Sequence, residues 1–186
     1  MDVKEVTRRE IEAKLPTIGD YVKMDYLQSC LKKQLDFDTK KFVLTKLSSI
    51  YESRKMFLEA GRLIRISADI NTTYDGKIND LVKSTELFIK GGNYDESDLS
   101  LNKAIAVATQ KQKIEIKGKI KDLYKMQAQE LLKRDKRKNA MDAFEKLLMI
   151  PELTSDEKKD AQLKLLNLYE KLGKIKEYSN LKRAIR

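Results

Sequence analysis

The chain has 186 residues, 41% of them hydrophobic and 37% charged, with a net charge of +10. That balance is too apolar for a disordered chain and too charged for a membrane protein, and no apolar run reaches the roughly 18–20 residues of a spanning helix. With no histidine and one cysteine, the commonest general base, Ser-His catalysis, most zinc sites and any internal disulfide are excluded.

Only 7 Gly and 2 Pro punctuate the sequence, and Leu, Lys, Ile, Ala and Glu dominate, so an all-α chain of about nine or ten helices is expected. The opening MDVKEVTRREIEAKL has neither an apolar centre nor a small-residue cleavage site, so no secretory signal is read. A cytoplasmic location follows as the expectation, and Cys30, beside Leu27 and Leu31, reads as a small core residue.

In chain order, residues 3–15 predict a short amphipathic helix with Val3, Val6, Ile11 and Leu15 as its stripe, ended by Pro16-Thr17-Ile18-Gly19. A second helix is expected over about residues 20–35, with Asp20 as its cap and Met24, Leu27, Leu31 and Leu35 on one face. Asp36 and Asp38 mark the next turn and cap. The division expected is an N-terminal helical segment, 1–38, and a repeat domain, 39–186.

From there one spacing recurs. Leu44, Leu47, Ser48 and Tyr51 lie at offsets 0, 3, 4 and 7 of one helix, and Ala60, Ile64 and Ser67 at offsets 16, 20 and 23 on the next. Laid from Leu81, the same ruler meets Ser84, Thr85, Phe88, Ser97, Leu101 and Ala104. From Tyr124 it meets Gln127, Ala128, Leu131, Ala140, Phe144 and Leu147, and from Gln162 it meets Leu165, Leu166, Tyr169 and Tyr178. A small residue at offset 4 lets paired helices approach, a large one at offset 7 fills the groove, and a small one at offset 16 receives it. The turns Gly91-Gly92-Asn93-Tyr94 and Leu172-Gly173-Lys174-Ile175 fall where first helices must stop.

The stretches FIKGGNYDESDLSLNKAI, AMDAFEKLLMIPEL and above all LYEKLGKIKEY resemble the tetratricopeptide-repeat superfamily over roughly residues 40–186, with Tyr169 at the helix-filling position, Gly173 at the turn and Pro151 near the repeat-ending proline. The sequence departs from that family in three ways: offset-16 residues are spaced 37, 43 and 38 apart rather than about 34, the first-helix tryptophan is missing, and Ser, Thr, Ala and Leu replace the offset-4 glycine. The longer repeats look like the extended-helix variants of vesicle-fusion adaptors. The resemblance implies an α-solenoid of antiparallel helix pairs, a right-handed superhelix whose first helices line a concave groove. Thr45, Ser49, Glu52, Asn79, Val82, Glu86, Lys125 and Gln129 are then expected to face that groove. Lys182, Arg183 and Arg186 give the last helix a wet outer face, as a terminal cap needs.

The positive charge is local: residues 111–138 carry 11 Lys/Arg against 4 Asp/Glu. Lys113, Lys117, Lys121 and Lys125 recur every fourth residue along one helix face, and Lys133, Arg134, Lys136, Arg137 and Lys138 crown its end. Ile114, Ile116, Ile120, Leu123 and Tyr124 are expected on the buried side. Such a ridge serves either as a solvated face with a charged helix end or as a surface for anions. No phosphate-cradling loop, calcium loop or catalytic constellation appears, so no cofactor, metal or catalytic residue is assigned. Two functions remain: a non-catalytic scaffold or adaptor binding another protein through the groove or ridge, and an RNA- or ribosome-associated factor contacting phosphates through residues 113–138. Membrane insertion is not expected, because the apolar side of the ridge helix is needed for the core.

Overall fold

The structure, a computed structural model, describes residues 3–185. Among these, ten α-helices and no strand occur: α1 (Arg8–Lys14), α2 (Asp20–Leu31), α3 (Phe37–Ser53), α4 (Phe57–Asp69), α5 (Tyr74–Gly91), α6 (Tyr94–Val107), α7 (Gln110–Lys133), α8 (Arg137–Leu148), α9 (Ser155–Lys171) and α10 (Ile175–Ile185). The protein is all-α, and its helices pack against neighbours in sequence. The chain divides into two compact units, Met1–Ala108 and Thr109–Arg186. The expected division after residue 38 falls inside the first unit.

The N-terminal helices are shorter than the periodicity predicts. α1 begins only at Arg8, because Thr7 and Glu10 form a reciprocal cap that starts the helix there. α2 is preceded by Gly19 rather than capped by Asp20, and it ends before Leu35. Both dock. Val3, Ile11, Tyr26, Leu27 and Cys30 share one core with Val43, Leu47, Tyr51, Ala60 and Ile64, and the Arg8 N–H donates to Thr39 Oγ1 at 3.0 Å. Asp36 caps α3, its carboxylate accepting from the Thr39 N–H at 2.9 Å.

The four later helix pairs carry a common turn, and its backbone shows the repeat most directly. Eleven residues beyond each ruler start stands a residue in the left-handed region: Lys55 (φ 61°), Gly92 (72°), Asp135 (52°) and Gly173 (68°). One residue further, the N–H of Met56, Asn93, Lys136 and Lys174 reaches back to the carbonyl of Tyr51, Phe88, Leu131 and Tyr169, at 2.9, 2.8, 3.0 and 2.8 Å. This is the six-to-one bond of a Schellman helix end, and the second helix starts immediately after it, at Phe57, Tyr94, Arg137 and Ile175. Only two of the four positions hold glycine, so the turn is set by the pairing of the flanking helices as much as by the residue.

Most ruler positions are core, whereas Leu101, Gln127, Gln162, Leu166 and Tyr178 are half-buried. Leu44, Leu47, Ser48, Tyr51, Ala60 and Ile64 are buried in the first pair, as are Leu81, Ser84, Thr85, Phe88, Ser97 and Ala104 in the second. Tyr124, Ala128, Leu131, Ala140, Phe144 and Leu147 are buried in the third, and Leu165 and Tyr169 in the fourth. Helix lengths locate the irregular spacing: α3, α5 and α9 have 17, 18 and 17 residues, whereas α7 has 24. Tyr124 stands fourteen residues into α7, while Leu44, Leu81 and Gln162 each stand seven into their helices. The insertion is therefore two extra turns at the start of α7, directly after the boundary between the units, and not at the α7–α8 turn with its run of cations from Lys133 to Lys138.

Candidate interaction surfaces

In the first unit, ion pairs tie helices two apart in sequence. Glu52 on α3 receives Lys83 and Lys90 of α5, each at 3.0 Å. On the second-helix side, Arg65 of α4 pairs with Glu96 of α6, and Lys103 of α6 meets Asp69 of α4 at 3.5 Å. Asp80 of α5 accepts from Ser67 Oγ and Asn71 Nδ2, both at 3.0 Å, with Lys41 of α3 at 3.9 Å. Partial burial alone would raise the Glu52 pKa; the Lys90 and Lys83 hydrogen bonds outweigh it and hold the carboxyl below its ordinary value.

The expected groove positions separate into three kinds. Thr45, Ser49 and Asn79 are exposed, and Thr45 Oγ1 returns a hydrogen bond to the Lys41 carbonyl at 2.9 Å. Glu52, Glu86 and Gln129 are half-buried, Glu52 inside the ion network and Glu86 with Lys83 at 3.9 Å. Val82 is not a groove residue at all: it is buried, at 7% exposure. The reason is that α5 lies between α4 and α6, packed on both and ion-paired to α3, so it buries a wider arc than one amphipathic stripe.

In the second unit the basic row is largely spent on the fold. Lys117 pairs with Glu152 at 2.8 Å, while Lys121 and Lys125 both close on Glu157, at 3.1 and 2.8 Å. Glu157 also caps α9 through the Thr154 N–H. The Lys125 bond, the Thr154 N–H and the Lys121 bond together hold its carboxyl down to about 2, and the Glu157 bond holds the Lys125 ammonium above its ordinary range. Arg134 is engaged by Glu130 and Arg137 by Asp135, each at 2.7 Å. Lys133, Lys136 and Lys138 are exposed and, among the described residues, make no ion pair. Of the nine cations of the expected ridge, carboxylates thus engage five, which leaves a short cluster of Lys133, Lys136 and Lys138 at the α7–α8 turn and Lys113 near the start of α7.

One residue of the supposed buried side is misplaced. Ile116, Ile120 and Tyr124 are buried and Leu123 is half-buried, but Ile114 is 73% exposed. At 100° per residue it lies about 120° from the centre of the arc that the three buried residues define. Arg186, expected on the wet face of the last helix, lies outside the described residues; Lys182 and Arg183 are exposed there as expected.

Sequence reasoning missed the cations that bridge helices in the first unit and the apolar pocket of the last pair. The signal was present: offset 9 holds Lys90, Lys133 and Lys171 in three successive pairs, the position from which Lys90 reaches back to the preceding first helix. At the α9–α10 turn, Tyr169, Glu170, Gly173, Ile175 and Tyr178 line a pocket of about 200 Å³, with Ile175 77% exposed. Among the described residues no group of three or more His, Cys, Asp or Glu could hold a metal ion, and no helix is long and apolar enough to cross a membrane. Cys30 is fully buried, and burial raises its thiol pKa. No family model matches this sequence, and no curated protein matches it.

Proposed function

We propose that the protein is a non-catalytic helical-repeat adaptor, of the kind the tetratricopeptide resemblance implies, which holds another protein against its first-helix face. The observation that carries this reading is the way α3 and α5 are joined. Glu52 clamps Lys83 and Lys90 across the two helices, so the exposed Thr45, Ser49 and Asn79 beside it are held on a braced surface. A rigid polar face with its flanking charges already paired suits recognition of a partner surface or helix, because little side-chain order is lost on binding. The solenoid form and the cytoplasmic setting belong to the same proposal.

The nucleic-acid reading has less to stand on. Lys117, Lys121 and Lys125 are neutralised by Glu152 and Glu157, and counterion release scales with the cations still free to meet phosphates. The test is capture from nuclease-treated lysate by the chain and by a Ser49→Arg/Asn79→Arg variant, both exposed sites. The adaptor reading expects the same proteins to survive nuclease and to be lost from the variant. Ribosomal RNA that leaves in moderate salt, with no protein surviving nuclease, overturns it.

A further inference from the structure

An unpaired hydroxyl is buried beside the one thiol of the chain. Tyr26 and Cys30 stand one helical turn apart on α2, at 1% and 0% exposure. The Tyr26 hydroxyl has no hydrogen-bond partner, and burial, then Cys30 and Glu5, push its pKa up. Burial also pushes the Cys30 thiol up, against the Tyr26 hydroxyl, which favours the thiolate. An unpaired buried hydroxyl destabilises the closed arrangement, and any opening to water removes that cost.

The cover over this pair is the segment before α1. Val3 is 2% exposed and shares one core with Tyr26, Leu27 and Cys30. Glu5 is half-buried and acts on both Tyr26 and Cys30, which lays the segment over that turn of α2. Little else ties it down. Among the described residues, residues 3–6 make no backbone-to-backbone hydrogen bond. The Lys4 N–H turns to its neighbour Glu5 at 3.2 Å and the Val6 N–H to Glu10 at 3.1 Å, and Val6 itself is exposed. The base of the segment is pinned instead: the Arg8 N–H donates to Thr39 Oγ1 at 3.0 Å, and its guanidinium meets Asp38 at 3.1 Å. A strap held chiefly by Val3 and anchored at Arg8 opens locally, without unfolding α1.

We propose that Cys30 is a concealed modification site, a thiol gated by the Val3 strap, which takes a small disulfide such as oxidised glutathione when the strap is open. In that state the Cys30 proton passes to water and the thiolate attacks one sulfur of the disulfide. A new S–S bond to Cys30 forms as the reagent's S–S bond breaks, and the other half leaves as a thiolate. The Tyr26 hydroxyl donates to the Cys30 thiolate, which ends its unpaired state. The adduct has no room beneath a closed strap, because Cys30 lies wholly inside a close-packed core. Modification therefore locks the strap open, and whatever opens the strap promotes modification. The site uses none of the α3–α5 face residues and stands apart from the adaptor reading.

With one cysteine in the chain, thiolate release from dithiobis-nitrobenzoate reports Cys30 alone. The full chain is expected to react at a rate that stays flat in urea below the unfolding transition. Val3→Ser should speed the reaction about tenfold and keep it flat in urea, which separates an opened strap from a destabilised fold. Val6→Ser, at an exposed position of the same strap, should change it by no more than about twofold. Tyr26→Phe should slow it several-fold, because the closed state loses its unpaired hydroxyl and the open thiolate loses its donor. A rate that climbs with urea as steeply as global unfolding, or one that Val3→Ser does not raise, overturns the gate. A Tyr26→Phe rate equal to that of the parent overturns the part given to that hydroxyl. After incubation with oxidised glutathione, the intact mass should gain one adduct and trypsin should cut after the exposed Lys4 faster than in the unmodified chain. No adduct overturns the site, and unchanged cleavage overturns the lock.

Discussion

Ser48 in α3 donates its buried hydroxyl to the carbonyl of Ala60 in α4, at 3.0 Å. These are the offset-4 and offset-16 residues of one repeat, so the small-residue pairing that lets two helices approach is also a hydrogen bond between them. Both residues are almost wholly inaccessible, at 2% and 0% exposure. Ser48→Ala keeps the close approach and loses the bond, which should cost about 0.5–1.5 kcal/mol. Ser48→Leu forces the helices apart and should cost about 1–3 kcal/mol or more. Urea unfolding followed by circular dichroism separates the two; equal losses would mean that the contact is set by neither volume nor bonding.

A second close approach lies between α4 and α5. A Cβ placed on Gly61 would stand 2.7 Å from Phe88 Cε1, and Ser84 Oγ donates to the Gly61 carbonyl at 2.8 Å. The ring has nowhere to go, since Phe88 is fully buried. Gly61→Ala is therefore expected to cost about 1–3 kcal/mol. Phe88→Leu makes room, so the double variant should be more stable than the two single losses predict, by about 0.5–3 kcal/mol of coupling. Strict additivity in the same unfolding assay would sink this account.

These contacts explain which parts of the fold were legible in the sequence. Offsets 4, 7 and 16 could be read because small and large residues must alternate where two helices touch, and they are buried in all of the first three pairs. The surface was far less legible. Lys121 and Lys125 look like a free basic face until Glu157, more than thirty residues on, is brought against them. A single stripe likewise cannot foresee that α5, with neighbours on several sides, buries Val82 and Ile89 as well. Charge pairing and multi-sided burial depend on non-local contacts, which spacing within one helix does not encode.

The shared left-handed turn yields a prediction of opposite signs. Gly92 and Gly173 hold φ 72° and 68° without strain, whereas Lys55 bears a side chain at φ 61°. A non-glycine residue in this region is disfavoured by about 1–2 kcal/mol. Lys55→Gly should therefore stabilise the chain by up to about 1 kcal/mol, the gain being reduced by the greater backbone freedom of glycine when unfolded. Gly92→Ala should destabilise it by about 1 kcal/mol or more. Asp135→Gly should gain less than Lys55→Gly, because Asp tolerates this region and its carboxylate holds Arg137 at 2.7 Å. Ranking the three midpoints in urea tests the common turn directly; a destabilising Lys55→Gly would break the equivalence.

Glu157 links the second unit to acid. Its carboxyl titrates at about 2 rather than the ordinary 4.5, chiefly through the Lys125 hydrogen bond, then the Thr154 N–H and the Lys121 bond. A carboxyl with a lowered pKa in the folded chain binds its proton less readily there than when unfolded. Its contribution to stability is therefore fully present above pH 4.5 and is lost as the pH falls from 4.5 toward 2. Protonation dismantles three contacts at once: both lysine bridges from α7 weaken, and the α9 cap loses its acceptor charge. Thermal melts of the parent chain and of Glu157→Gln should thus converge as the pH falls through this window, the parent being the more stable above it. Other carboxylates titrate in both chains and cancel in the difference between the two curves. A difference that stays constant from neutral pH to pH 2 would show that the Lys121–Glu157–Lys125 bridge contributes nothing to holding α7 against α9.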